Sequence, residues 1–408
     1  MSDKTIREIC PYDLCVGCGV CAAGCPKNCI SMQEDAEGFV RPDIDSSYCI
    51  NCGLCSRMCP QNHKFEKHSA VLYMAWNKNR DILMASSSGG MFTAVAEWVL
   101  KQNGAVVGVA FNPVTKDVYH DIVFSSEDLD KLRLSKYYQS ETKHIYSMVK
   151  YLLESGQMVL FTGTACQVAA MKSYLGDMAN SELLLTMDIL CHGVANKKTV
   201  SAYIKDREKQ YNKKIINFRF RIKEGIEGWQ LGSGTRMKLF FEDGTSEAQD
   251  KFLDTYFIGF NSNIFLRESC YQCKYCGQAR IADFTVGDFW GVNAEKVGKQ
   301  QMYEGVSVVL INTEKADMIL GKLKDDLYIE KINPIEAVPY NRALTEPNRR
   351  PAARSHFFAL MNKYGFDRAV KKLNRKYYIK KHIKAVMSLL LPRKMLVYII
   401  EKRKRRNC

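Results

Sequence analysis

Twice within its first 60 residues the chain sets four cysteines in the pattern C-x2-C-x2-C-x3-C and follows the last with proline: CVGCGVCAAGCP at 15–26 and CINCGLCSRMCP at 49–60. Three thiolates two residues apart can wrap one face of an iron–sulfur cubane. The fourth, one residue further on and ahead of proline, points away toward a second cluster. The spacing therefore assigns Cys15, Cys18, Cys21 and Cys59 to one 4Fe-4S cluster, and Cys49, Cys52, Cys55 and Cys25 to another. Gly17, Gly19 and Gly53, between the ligands, let backbone N–H groups approach the sulfides. Zinc knuckles use two separated ligand pairs, so zinc suits this signature poorly. Cys10 and Cys29 stand outside it and read as small buried hydrophobes.

Ten of the 16 cysteines precede residue 60, and the start, MSDKTIREICPYD, does not read as a secretory leader. Tight cysteine spacing in such a chain reads as metal binding and predicts a reducing cytoplasm. With 408 residues, 46% hydrophobic and 25% charged, the chain can build two or three domains around a sizeable core. The formal charge of +15 is local: residues 371–408 hold 14 Lys and Arg against a single Glu, and the body is near neutral. Over residues 5–62 the sequence resembles a bacterial dicluster ferredoxin, which implies a small α+β module for electron transfer.

After the polar connector PQNHKFEKHSA (60–70) the periodicity changes to alternating strand-like and helix-like segments. Strands are predicted at 71–76, 105–111, 157–163 and 183–190, and helices at 89–102, 143–156, 166–175 and 197–210. That rhythm is α/β, with turns at the carboxyl ends of strands available for ligands. From about 214 the pattern is richer in strands (KIINFRFR, MKLFFEDGTS, VSVVLIN), which predicts a mixed sheet. No apolar run is long enough to span a membrane.

A second cysteine constellation lies in this region. ESCYQCKYCG (268–277) places Cys270, Cys273 and Cys276 two residues apart with no fourth cysteine behind them. Cys166, in TGTACQ, and Cys191, in CHG, each sit in a turn after a predicted strand. These are five candidates for four places, so a cluster here takes a ligand from a distant turn. Four thiolates would also hold zinc.

SSSGGMFTA (86–94), SKYYQS (135–140), TGTACQ (162–167), CHG (191–193) and ARIADFTVGDFWG (279–291) occur in the order, and near the wording, of the coenzyme F420 hydrogenase/dehydrogenase beta-subunit family. The resemblance covers roughly residues 70–345. It implies an FAD-containing iron–sulfur oxidoreductase, with F420 as substrate in the best-known relatives. It favours Cys166, Cys191, Cys270 and Cys273 as ligands of a third 4Fe-4S cluster, with Cys276 in place of Cys166 as the alternative. The expected organisation is a dicluster ferredoxin module at 1–68, an α/β mixed-sheet flavin and iron–sulfur domain at 69–345, and a basic helical tail at 346–408.

Ser87, Ser88, Gly89 and Gly90 precede an amphipathic helix and offer small side chains and backbone N–H groups to a pyrophosphate. Lys136 is a candidate for a phosphate or a reduced flavin, and Tyr137 for packing on its ring. Thr162, Gly163 and Thr164 form a turn that a cofactor can approach closely. Asp288 could accept a hydrogen bond from cofactor or substrate, or brace a turn. The G-x-G-x-x-G spacing of nicotinamide sites is absent, and no catalytic residue is assigned.

Flavin exchanges hydride in pairs of electrons and clusters carry one at a time, so the expected function is electron transfer between 4Fe-4S clusters and a two-electron organic substrate through FAD. The alternative is a non-catalytic electron-transfer subunit docked on a partner oxidoreductase. Expected partners are a redox protein such as ferredoxin and a small hydride donor or acceptor. The segment RKMLVYIIEKRKRRNC (393–408) reads as a solvated charged end or as an amphipathic contact with an anionic membrane surface, which would make the protein peripheral at the inner face. Nucleic acid is not expected, since the body has no basic stripe.

Overall fold

The computed structural model describes residues 9–142, 144–224, 228–229, 236–249 and 253–380. Residues 381–408, with Cys408 and the segment expected to touch a membrane, lie outside the described residues.

The N-terminal duplication is written into the backbone. Gly17 and Asn51, at equivalent places in the two motifs, take φ of +63° and +54°. Gly19 and Gly53 both take +72° and each caps a one-turn helix, Val20–Ala23 and Leu54–Arg57. A two-stranded antiparallel ribbon, β1 (Ile30–Glu34) and β2 (Val40–Ile44), lies between the motifs. The core of this module is largely sulfur, with Cys21, Cys29, Cys55 and Cys59 buried beside Ile9 and Ile30.

The following strands are β3 (Val71–Asn77), β4 (Ala105–Phe111), β5 (Val118–Val123), β6 (Val159–Thr164) and β7 (Leu184–Ile189). Next come β8 (Ile215–Ile222), β9 (Arg236–Phe241) and β10 (Ser246–Gln249), a separate antiparallel sheet, and then β11 (Phe284–Asp288), β12 (Ser307–Ile311) and β13 (Leu327–Lys331). The large sheet runs β13-β3-β12-β11-β7-β6-β4-β5. Strands β4, β6, β7 and β11 are parallel, and β12 is antiparallel to both β11 and β3. The expected mixed α/β sheet behind a ferredoxin-like module is therefore present.

Alternation along the strands sorts their side chains onto two faces. Val106, Leu160 and Leu185 pack under helices Met91–Lys101 and Glu314–Lys322. Ala105, Val107, Val159, Phe161 and Leu184 face helices Ile145–Glu154 and Ala165–Leu175, where Cys18 and Val20 of the ferredoxin module join the same core. This strand arrangement brings the carboxyl ends of β3, β11, β7 and β6 to one edge, together with the amino end of β12.

A third, aromatic core holds β8 and β9 to helices Lys197–Tyr211 and Thr255–Asn261. Helices Arg354–Tyr364 and Phe366–Leu373, expected as part of a basic tail, bury Phe357, Phe358, Met361, Phe366 and Val370 in it. Packing therefore continues past residue 345, because these helices carry an apolar face that the charge of the segment conceals. No helix among the described residues is long and apolar enough to cross a membrane.

Candidate functional site

The two N-terminal motifs interleave. Cys18 and Cys21 interact with Cys15 and with Cys59 of the other motif. Cys25 lines a small apolar cavity with Cys49, Cys52 and Cys55. The first set faces the large domain: Thr142 and Tyr146 hydroxyls donate to the Cys18 carbonyl at 2.5 and 2.7 Å. The second faces outward, with Cys52 exposed and flanked by Tyr48 and Ile50, which are 69% and 57% exposed.

Five further cysteines gather beside the sheet edge. Cys166 opens the helix after β6, and Cys191 follows β7. Cys270 lies in the short helix Glu268–Gln272, and Cys273 directly follows it. These four interact electrostatically with one another, and Cys276 interacts with Cys191 and hydrogen-bonds with Cys273. Burial pushes the thiol of Cys166 up to about 11 and that of Cys270 up to about 12, so a metal loaded there displaces protons. Among the described residues, no three His, Cys, Asp or Glu side chains close on a point fit for a single metal ion.

Each of the three sets carries a fifth thiol. Cys10 hydrogen-bonds with Cys15 and Cys59, the sulfurs of Cys25 and Cys29 are 3.4 Å apart, and Cys276 touches Cys273. Ligand spacing gave no hint of Cys10 and Cys29 at these places.

A cleft of about 410 Å³ opens at the loop after helix Arg80–Ala85, lined by Ser86, Ser87, Arg133, Arg219, Arg221 and Lys223 among others. Lys223 donates to the carbonyls of Leu83 and Ser88 at 2.5 and 2.6 Å, and burial pushes it down to about 7. Arg221, 5% exposed, spans Asp288 with two hydrogen bonds of 2.7 and 3.3 Å and leaves its buried Nε without a partner. The Trp229 indole also donates to Asp288, at 2.8 Å, and stacks on Trp290 with an interplanar angle of 3°.

The remaining predicted site residues are placed unevenly. Ser87 lines the cleft and accepts from the Ser135 N–H at 2.9 Å. Ser88 donates to the Val306 carbonyl at 3.0 Å. The Gly89 N–H, expected to be open to phosphate, donates to the Ser307 hydroxyl at 2.8 Å instead. A Cβ on Gly89 would lie 2.3 Å from the Ala75 carbonyl oxygen, so glycine is required there by the neighbouring strand. Gly90, at φ +82°, starts the following helix.

Lys136 is turned onto the carbonyls of Leu132 and Arg133 at 3.2 and 2.6 Å, and burial pushes it down to about 7. The Tyr137 ring packs among Phe220, Phe257 and Phe260. Thr162 donates to the Val107 carbonyl at 2.8 Å, and Thr164 caps the helix at Ala165 with Gln167. A Cβ on Gly163, between them, would meet Gln167 Oε1 at 3.1 Å. Asp288 is the last residue of β11, its carbonyl accepts from the Trp290 N–H in the turn that follows, and its carboxylate is taken up by Arg221 and Trp229.

Arg219, Arg221 and Lys223 were missed in the sequence. Their signal was legible, since in FRFRIK the basic residues recur every second position and a strand sends them to one face. Arg133 carried no such pattern.

Residues 156–337 match the family model for the C terminus of the coenzyme F420 hydrogenase/dehydrogenase beta subunit, and residues 14–63 match the 4Fe-4S dicluster domain. No curated protein matches the chain. Among solved structures, a chain of the F420-reducing NiFe hydrogenase complex from Methanosarcina barkeri, studied as a xenon derivative, is similar at 16% identity and a TM-score of 0.47, over 80% of this chain and 95% of that one.

Proposed function

We propose that this chain, whose residues 14–63 and 156–337 match the 4Fe-4S dicluster domain and the C terminus of the coenzyme F420 hydrogenase/dehydrogenase beta subunit, is an iron–sulfur flavoprotein that exchanges electrons between three 4Fe-4S clusters and a two-electron organic substrate, F420 or another hydride carrier. One observation carries the reading: the gathered thiols of Cys166, Cys191, Cys270 and Cys273 lie between the inner ferredoxin set and, along the same sheet edge, the basic cleft. Asp288, at the end of β11 and next to β7, which leads to Cys191, holds Arg221 of the cleft.

The donor sets fit the groups. Thiolate ligands in fours suit iron–sulfur clusters. The cleft, with four cations against the carboxylates of Asp130 and Glu224 and with a buried arginine Nε lacking an acceptor, suits the phosphates of a dinucleotide. A flavin held there would supply the conversion between two-electron and one-electron exchange.

The chain's own residues do the positioning. Asp288 fixes the Arg221 fork, which holds its guanidinium beside the Lys223 ammonium at the cleft wall. Trp229, stacked on Trp290, lines one side of the cleft. Lys274 donates to the carbonyls of Pro60, Gln61 and His63, and Tyr275 to that of Pro60, which clamps the ferredoxin module beside the core cysteines. The exposed surface around Cys52, Tyr48 and Ile50 is where a redox protein, a ferredoxin or an oxidoreductase subunit, would dock.

The test is FAD per chain after anaerobic purification and reconstitution, in the native protein and in Arg221→Gln. The reading expects one FAD in the first and much weaker retention in the second. A protein that keeps its clusters and takes up no FAD is an electron carrier for a partner enzyme instead.

A further inference from the structure

Arg267 is 1% exposed and sits three residues before Cys270, yet its guanidinium reaches into the ferredoxin module. Nε donates to Gln139 Oε1 at 2.9 Å, and the two terminal nitrogens donate to the carbonyls of Cys15 at 3.2 Å and Val40 at 3.0 Å. Every one of these acceptors is neutral. Among the described residues no carboxylate lies within ion-pair distance of it, and nearby Asp35 is engaged by Arg41 at 2.8 Å. The Phe39 ring, 4.9 Å away, compensates weakly. A buried cation without an anion is costly, so its counter-charge has to come from elsewhere.

The groups around it say where. Arg267 interacts electrostatically with Cys15 of the inner ferredoxin set and with Cys166 and Cys270 of the core set. The duplicated motifs also differ at this contact. A Cβ on Gly17 would lie 2.5 Å from a terminal nitrogen of Arg267, whereas the equivalent residue of the second motif is Asn51. The first motif is cut to admit the guanidinium.

We propose that Arg267 is the shared counter-charge of two clusters, one held by Cys15, Cys18, Cys21 and Cys59 and the other by Cys166, Cys191, Cys270 and Cys273, and that it sets their reduction potentials together. The inference rests on the three-cluster reading above. Adding an electron to a cluster adds negative charge, and a fixed cation in a poorly polarisable interior favours that state at both sites. The outer set, Cys25, Cys49, Cys52 and Cys55, makes no contact with Arg267 and serves as an internal reference.

The test is an anaerobic redox titration of the full chain followed by electron paramagnetic resonance, with iron counted, in the native protein, Arg267→Gln and Arg267→Lys. In Arg267→Gln two clusters become harder to reduce by tenfold or more in the equilibrium, about 59 mV for one electron, and the third is unmoved. Arg267→Lys keeps both potentials within that margin at full iron, and this result upholds the inference even where Arg267→Gln loses a cluster. Unmoved potentials in Arg267→Gln, an equal shift of all three, or a lysine variant shifted as far as the glutamine variant would each overturn it. About 8 iron atoms in the native chain, where three clusters need about 12, would overturn the underlying reading and the inference with it.

Discussion

Asp188, fully buried at the end of β7, and Arg280, 3% exposed, form an ion pair of 2.9 Å beside the core cysteines. Arg280 also donates to the carbonyl of Tyr275 at 2.6 Å and to the Thr285 hydroxyl at 3.2 Å, which fixes the chain just beyond Cys273 and Cys276. Replacing Asp188 by Asn leaves a buried guanidinium without its anion, a loss of about 3–5 kcal/mol. Chemical denaturation should record that loss, and an unchanged midpoint would mean that the pair is not what holds the turn.

Lys223 supports a prediction of a different kind. Its ammonium is pushed down by burial to about 7, against roughly 10.4 in the unfolded chain. Between those values the unfolded chain binds more protons, so this residue lets stability rise with pH, and its burial penalty is present in full below about 7. An anion in the cleft prefers the charged form, so affinity runs the other way. Pyrophosphate binding should weaken roughly tenfold from pH 6.5 to 8.5, and Lys223→Met should flatten that dependence. Residues such as Arg267 and Arg280 were illegible in the sequence because a single buried arginine has no period, whereas the cysteines announce themselves by spacing.

At the scale of elements, the helix and strand rhythm from 71 to 211 was legible because each segment keeps one period over several turns or alternations. Sheet order was not, since the insertion of β12 between β3 and β11 depends on packing between segments more than 200 residues apart. The terminal helices were hidden by their charge. Phe357 is fully buried against Phe265, Phe358 and Phe366, so Phe357→Ala should cost about 3–5 kcal/mol. Measured against a denaturant, a loss below about 1 kcal/mol would show these helices to be an appendage after all. The ferredoxin module makes the opposite case: with sulfur as most of its core, chelating its iron should unfold residues 9–63. Limited proteolysis should then cut there first, and protection equal to that of the loaded protein would contradict the argument.

For the molecule as a whole, three groups of cysteines follow one another from an exposed face at Cys52, through the inner set at Cys18, to the sheet edge at Cys191, with the basic cleft further along that edge. The dicluster half of this arrangement was readable from spacing. The third group needed the fold, because only the sheet brings Cys166 and Cys191 to the loop at 268–277. Iron counted per chain, in the native protein and in Cys191→Ala after identical anaerobic reconstitution, tests that convergence most directly. The account predicts about 12 iron atoms falling to about 8, whereas equal iron in the two proteins would contradict it.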